Sequence, residues 1–224
     1  MSQDPNVASV ELAAVALGDL MDELVLVGGC AVGLLVTDGA RPPIRQTVDV
    51  DLLTEVAPLS NYYALCERLR EKGFKENDEV ICRWQLKGLK IDVMPTEENV
   101  LNFTNSWYAE AARTAQNHQL PSGKVIKLIQ AAVFVATKLE SFASRGNGDY
   151  LHHDLEDIVN LLDGRPSLVY EVQAASAEVC DYIRDEFDAL LVNQSFDDRL
   201  IWLLGGEADR KGVVLERMRR ICGL

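Results

Sequence analysis

A mixed α/β region followed by an all-helical one is the architecture that this 224-residue sequence predicts. Three observations carry that expectation. Short apolar runs of strand-forming residues, set between helix-like stretches, recur up to about residue 129. From residue 130 onward every apolar stretch has helical spacing. Gly and Pro punctuate the later segments without any strand-like run between them. The boundaries that follow are 1–129 for the mixed region and 130–224 for a helical C-terminal domain.

Taken in order, "SVELAAVALGDLMD" (9–22) has its apolar positions at helical spacing, and "ELVLVGG" reads as a short buried strand ending in glycines. "CAVGLLVTDG" continues as a helix closed by Gly39. "ARPPIRQ" (40–46) is a loop, because tandem prolines suit neither helix nor strand interior. "TVDVDLLTE" is strand-like, and "LSNYYALCERLREKG" is a helix with Ser60 near its start and Gly73 just past its end. "EVICRWQLKG" and "LKIDVMPTE" read as a hairpin turned at Lys87–Gly88, and residues 99–112 as a helix. "HQLPSGKVIKLIQ" reads as a second hairpin, with a helix from Lys124 as its competitor. After it come five helical runs: 131–146, 154–164, 166–192, 195–206 and 207–222.

Composition narrows the class. Hydrophobic residues at 48% and charged residues at 25% are ordinary for a globular chain. No apolar run nears the roughly 18 residues of a membrane span, and "MSQDPNVASVEL" lacks a basic region and an apolar signal core, so neither membrane insertion nor export is expected. Five scattered cysteines without a C-x-x-C pair argue against a disulfide framework or zinc site and for a reducing cytoplasm. A net charge of −13 opposes broad non-specific nucleic-acid binding, which depends on neutralising phosphates.

The chemistry concentrates in "RQTVDVDLLTE" (45–55). Asp49 and Asp51 stand one residue apart in a strand-like run, so they share one sheet face. Like charges placed so repel unless a cation lies between them. The bland reading is a solvated edge strand or a turn; the sharper one is a divalent-metal site. Asp92, in "LKIDVMP", is a third acid in an apolar strand context. Three carboxylates on neighbouring strands can hold two Mg²⁺ ions for in-line displacement at phosphorus, and a carboxylate beside the first ion can accept the proton. Upstream, Gly28 and Gly29 lie between a strand and a helix, where backbone N–H groups and the absence of a Cβ would let a triphosphate approach.

Together "GGCA … RQTVDVDL … IDVMP" resembles the nucleotidyltransferase fold of the DNA polymerase beta superfamily, with its hG[G/S], h[D/E]h[D/E]h and later third acid. The R-x-T-x-D-x-D-L form is similar to the AbiEii-like (abortive-infection) toxin nucleotidyltransferases. "ATKLESFASRGNGDYLHHDLEDIVNLLDGR" (136–165) resembles that family's later motifs, a lysine opening K-L-x-(A/S)-x-x-x-R and an aspartate in D-x-x-D-[IL], so the likeness covers roughly residues 24–165. Nineteen residues (30–48) separate Gly29 from Asp49, which suits the toxin-like branch. Gly29 stands where many members carry a serine, so that hydroxyl contact to phosphate is expected to be absent.

The resemblance implies an α+β chain: a nucleotidyltransferase-fold mixed sheet with flanking helices, followed by a C-terminal helical bundle. It implies a cytoplasmic enzyme that moves an NMP from an NTP to an acceptor hydroxyl and releases pyrophosphate. Asp49, Asp51 and Asp92 are the implied metal ligands and catalytic acids for two Mg²⁺ ions. Gly28, Gly29, Arg45, Thr47, Lys138 and Asp154 are the implied nucleotide contacts. Arg45 can equally pair with Asp49 or Asp51 when metal is absent, Lys138 can be a snorkelling lysine, and Asp154 can complement a helix N-terminus. His152, His153 and Asp157 read as structural, and Trp84, Trp107 and Trp202 as packing residues. The partners implied are an NTP, an acceptor that is RNA, protein or a small molecule, and a cognate antitoxin if the chain is a toxin of a toxin–antitoxin or phage-defence system. The rivals are a non-catalytic partner-binding protein on the same fold and a small-molecule nucleotidyltransferase of the antibiotic-modifying type. Lys138→Ala is expected to weaken NTP binding and to spare metal-independent stability.

Overall fold

The computed structural model describes residues 4–39, 44–55, 59–101 and 104–224. Most of the proline loop expected over 40–46, and part of the run 99–112, lie outside the described residues. Contacts divide the chain into a sheet unit that takes in residues 4–33 and 45–130 and a helical unit that takes in 34–39 and 131–224.

All seven described strands belong to the sheet unit: β1 (Leu24–Leu26), β2 (Val50–Thr54), β3 (Lys75–Glu76), β4 (Arg83–Leu86), β5 (Leu89–Pro95), β6 (Gln116–Gln119) and β7 (Val125–Leu128). They form one mixed sheet in the order β3-β4-β5-β2-β1-β7-β6. β2 runs parallel to β5 and β1 parallel to β7; the remaining pairings are antiparallel. The central strands are apolar on both faces, with Leu24, Leu26, Val50, Leu52, Leu53, Ile91 and Val93 fully buried. That is why they read in the sequence as continuous apolar runs rather than as alternation.

Helix α1 (Val7–Leu17) packs against β2 and β5 through Val10, Ala13, Ala14 and Leu17. It is shorter than the expected 9–22, because Gly18 takes a positive φ of 58° and a 3₁₀ turn follows to Glu23. Helix α2 (Gly28–Leu35) also stops short of Gly39. The N–H groups of Thr37 and Asp38 donate to the Gly164 carbonyl at 2.9 and 2.8 Å instead of continuing the helical ladder. Helix α3 (Leu59–Glu71) buries Tyr62, Leu65, Cys66 and Leu69, and the Tyr62 hydroxyl donates to the Val93 carbonyl of β5 at 3.0 Å. The single helix expected over 99–112 is two, α4 (Glu98–Leu101) and α5 (Tyr108–Thr114). Asn105 breaks it: its side-chain oxygen accepts from the Trp107 N–H at 3.1 Å, a local turn that competes with helix. β6 and β7 form the second expected hairpin, not the competing helix.

The helical unit holds α6 (Ala131–Arg145), α7 (His153–Gly164), α8 (Leu168–Gln173), α9 (Ala177–Leu191), α10 (Gln194–Leu203) and α11 (Lys211–Cys222). Every residue of α6 from Ala131 to Leu139 is buried, so this helix is covered all round by neighbours, among them α7, α8 and α9. The run 166–192 is two helices because Ser176 caps α9, its hydroxyl accepting from the Val179 N–H at 3.4 Å. The last carbonyls of α7 are met by an arginine: Arg217 Nη1 donates to the Leu162 carbonyl and, at 2.7 Å, to that of Asp163. No strand follows Leu128 among the described residues.

Candidate metal and nucleotide site on the sheet

Strand register builds the site. The parallel pairing of β2 with β5 sets Asp51 directly beside Asp92. On the other side of β5 a two-residue turn at Lys87 and Gly88, both at positive φ, fixes the β4–β5 hairpin so that Leu86 faces Leu89 and Arg83 faces Asp92. Asp49 comes just before β2, two residues from Asp51. Asp51 and Asp92 therefore lie side by side on β2 and β5, and Arg83 of β4 joins Asp92 to Asp49, all of them within the sheet unit.

The arginine is the cation that bare carboxylates in this arrangement require. Arg83 Nε donates to Asp92 Oδ1 at 2.8 Å and Nη2 donates to Asp92 Oδ2 at 2.8 Å, a bidentate fork. The same Nη2 also reaches Asp49 Oδ2, so one nitrogen is shared by the two acids. The hydrogen bonds that Arg83 donates to Asp92 raise its pKa, against a desolvation that opposes it, and the charges of Asp92 and Asp49 add to the rise. Side-chain exposure of 21% for Arg83, 24% for Asp49 and 11% for Asp92 leaves the cluster open to a ligand on one side.

Gly28 makes room for the other acid. It opens α2 with a φ of 62°, a conformation that favours glycine, and a Cβ there would overlap the Asp51 carboxylate. The Asp51 side chain thus lies across the first residue of a helix whose N-terminal amides favour negative charge. The Val27 N–H donates to the Asp51 carbonyl at 3.0 Å, tying this turn to β2. Gly29 is buried in the same first turn.

The approach to Asp49 is held by a polar net. Asn6, fully buried, donates from Nδ2 to the Arg45 carbonyl at 3.1 Å, and its Oδ1 accepts from the Thr47 N–H at 2.8 Å. The Thr47 hydroxyl lies 2.8 Å from Cys30 Sγ and 3.3 Å from the Asp49 carbonyl, which also accepts from Cys30 Sγ at 3.2 Å. Thr47 orders Asp49 through the backbone. Burial pushes the Cys30 thiol up to about 12, with Asp51 and Asp49 adding to the rise against the Thr47 hydrogen bond, so it stays an unreactive S–H.

Lys138 and Asp154 form a second cluster, inside the helical unit. Lys138 Nζ lies 3.1 Å from Asp154 Oδ1 and 2.6 Å from Asp157 Oδ2, with both acids fully buried. Arg145 adds two hydrogen bonds to Asp154, from Nε at 2.8 Å and Nη2 at 2.9 Å. Burial drives the Asp154 pKa up, but the Arg145 hydrogen bond and the charges of Lys138 and Arg145 outweigh it and hold the carboxyl at about 2. His152 caps α7, its Nδ1 accepting from the Asp154 N–H at 3.3 Å, and His153 stacks on it with ring centroids 4.0 Å apart. Of the tryptophans, Trp84, on β4 of the hairpin, is fully buried, but Trp202 is 70% exposed and so is not the packing residue the sequence suggested.

Two residues that shape the site escape a reading of types and motifs. Arg83 lies in an expected hairpin strand without being singled out there, though the Lys-Gly turn fixes the hairpin register and places it opposite Asp92. Asn6 carries no sequence signal; only the folded chain brings it 41 residues forward to Thr47.

No family model matches the sequence, and no curated protein matches it. Among solved structures the chain is similar to an antigenic nucleotidyltransferase-like protein from Paracoccidioides brasiliensis, with a TM-score of 0.53 and 19% identity, covering 89% of this chain and 94% of that one. It is also similar to JHP933 from Helicobacter pylori, with a TM-score of 0.46 and 14% identity over 99% and 92% of the two chains. The first likeness gives the chain its class: an α+β, nucleotidyltransferase-like fold with a mixed sheet, flanking helices and C-terminal helices. No helix among the described residues is long and apolar enough to cross a membrane.

Proposed function

We propose that the chain is a divalent-metal-dependent nucleotidyltransferase that moves a nucleoside monophosphate from an NTP to an acceptor hydroxyl. One observation supports this reading above the rest: strand register sets Asp51 beside Asp92, and the Arg83 guanidinium bridges Asp92 to Asp49. The donor set suits the metal, since hard oxygens from three carboxylates are what Mg²⁺ takes, and a protein cation already stands among them. When bound, two Mg²⁺ ions would acidify the attacking hydroxyl and draw charge from the phosphate oxygens.

The chain's own residues supply the remainder. Asp49, Asp51 and Asp92 would hold the ions, and Asp92 would take the proton as the acceptor oxygen bonds to the α-phosphorus. The bond from that phosphorus to the bridging oxygen breaks, and pyrophosphate leaves with the bond's electrons. The first-turn amides at Gly28 and Gly29 would be offered to the phosphates, with no Cβ on either residue. Asn6 and Thr47 fix the backbone at Asp49. Arg45 follows the resemblance as a phosphate contact; Lys138 and Asp154, implied with it, are committed to one another, to Asp157 and to Arg145 within the helical unit, and no nucleotide contact is assigned to them. An AbiEii-like toxin role, with an RNA, protein or small-molecule acceptor and a cognate antitoxin, is the finer form of the proposal. It rests on R-x-T-x-D-x-D-L and the K-L-x-S-x-x-x-R run.

The test is incubation with each α-labelled NTP, Mg²⁺ and a cell extract, followed by separation of nucleic acid, protein and small molecules. Label should enter one class with wild type and none with Asp51→Asn. Label that enters equally with both proteins, or with neither, sinks the reading.

A further inference from the structure

Arg83 is more than a neutralising side chain, and its position says what else it does. Its Nη2 is shared between Asp49 Oδ2 and Asp92 Oδ2, while Nε holds the second oxygen of Asp92. A divalent ion bridging Asp49 and Asp92 would need those same oxygens and the same point between them. The guanidinium and the ion thus exclude one another there. Yet Arg83 cannot leave the site: it belongs to β4, paired to β5 in a register fixed by a two-residue turn, with Trp84 next to it fully buried. Its side chain can only swing about a fixed Cα, and a planar fork that fits a carboxylate fits a phosphate equally well.

We propose that Arg83 is the resident cation of the carboxylate site, holding Asp49 and Asp92 until a divalent ion displaces it and then binding the phosphates of the incoming nucleotide. The inference rests on the nucleotidyltransferase reading above and deepens it. It makes the metal-free protein a poor binder of Mg²⁺ alone, because the ion must break a bidentate ion pair, and it makes metal and nucleotide bind together. Metal frees the arginine for phosphate, and phosphate keeps it from returning. A triphosphate brings about four negative charges to the three carboxylates, which two Mg²⁺ ions offset only in part. A displaced arginine completes the balance from within the sheet unit.

The proposal predicts opposite signs for two measurements on one variant. Mn²⁺ and Mg²⁺ are titrated by calorimetry into nucleotide-free wild type, Arg83→Gln and Arg83→Lys, and each of the four NTPs is then titrated in saturating Mg²⁺. Arg83→Gln should bind Mn²⁺ at least tenfold more tightly than wild type and Mg–NTP at least tenfold more weakly. Arg83→Lys, which keeps the charge but not the fork, should fall between for both and guards against a glutamine variant that does not fold. An arginine with a merely structural role would weaken both affinities together, and that outcome overturns the proposal. Equal metal affinities across the three proteins, or Mg–NTP binding undiminished in Arg83→Gln, overturn it as well. In those cases wild-type binding of Mg–NTP that is lost in Asp51→Asn leaves the transferase reading standing. Binding of neither metal nor Mg–NTP by any of the three proteins removes both.

Discussion

Two clusters of acids and cations are built from the same side chains and lead to opposite conclusions. In the helical unit Asp154 and Asp157 are fully buried, Lys138 is 7% exposed, and two cations serve two carboxylates. In the sheet unit Arg83 spans two of three carboxylates, and the groups are partly open to solvent. Buried charge is balanced within the fold, and here both carboxylates already have their cations. A cluster whose acids and bridging arginine are partly open to solvent can admit an ion from outside. A motif lysine or aspartate therefore has to be judged by the charge around it, since Lys138 and Asp51 are equally prominent in sequence.

The largest expected effect breaks the helical cluster. Lys138→Ala leaves two carboxylates buried without their shared ammonium and should cost about 3–5 kcal/mol of stability, read by urea unfolding without metal. This replaces the expectation, drawn from sequence, that the substitution would spare stability; that view took Lys138 for a phosphate contact, whereas its ammonium is buried between Asp154 and Asp157. An unfolding midpoint within error of wild type would return Lys138 to the role of an uncommitted cation.

Next is Gly28→Ala, which strains the turn that joins β1 to α2. A left-handed φ costs a non-glycine residue roughly 1–2 kcal/mol, and the new methyl must also push the Asp51 carboxylate aside. Stability should fall by about that much, while binding of Mg–NTP falls by more than tenfold, measured by calorimetry. Retained Mg–NTP affinity would show that the Asp51 position seen across Gly28 is not the one that binds.

The helical cluster can also be read by pH. Asp154 is held at about 2, against about 3.9 for an unfolded aspartate. A depressed folded pKa gives stability that is complete above the unfolded value and is lost as pH falls through the folded one. Unfolding free energy should therefore drop by ~2 kcal/mol between about pH 4 and pH 2 from this group. Arg145→Gln, by removing the hydrogen bonds that lower the pKa most, should shrink that drop. A pH profile identical in the variant would mean that Arg145 does not govern the titration.

How much of this was legible beforehand varies with the physics of each element. The sheet followed by helices was plain, because apolar periodicity is local and survives in one dimension. Asp49, Asp51 and Asp92 were legible as acids in strand contexts, since such placement is costly without a purpose. Helix ends were not: α2 stops where Thr37 and Asp38 find the Gly164 carbonyl, a partner far along the chain that no local cap announces. Arg45 reads in sequence both as a phosphate contact and as a partner for the metal-free acids, whereas Arg83, which bridges Asp49 and Asp92, does not stand out, because that pairing follows strand register and not nearness in sequence. The register was itself encoded in Lys87–Gly88 and needed only to be counted back to residue 83.

The smallest expected change in stability comes from the substitution with the largest expected change in activity, Asp51→Asn. The amide keeps the shape of the carboxylate against Gly28, and it removes one of three like charges from the sheet cluster. The metal-free protein should unfold within about 1 kcal/mol of wild type, in the direction of greater stability if repulsion among the three acids outweighs the attraction of Asp51 to nearby positive charge. The ligand response should differ sharply. Anything that binds only the folded state stabilises it by RT ln(1 + [L]/Kd), so wild type should gain roughly 2.7 kcal/mol at a Mg–NTP concentration a hundredfold above its Kd. Asp51→Asn should lose most of that gain together with transfer of label. Thermal melts of the two proteins, each with and without millimolar Mg²⁺ and NTP, decide the matter. If both shift alike, Asp51 is not a ligand and the sheet cluster is as purely structural as the helical one. If wild type alone shifts, the two clusters differ in function as they do in charge.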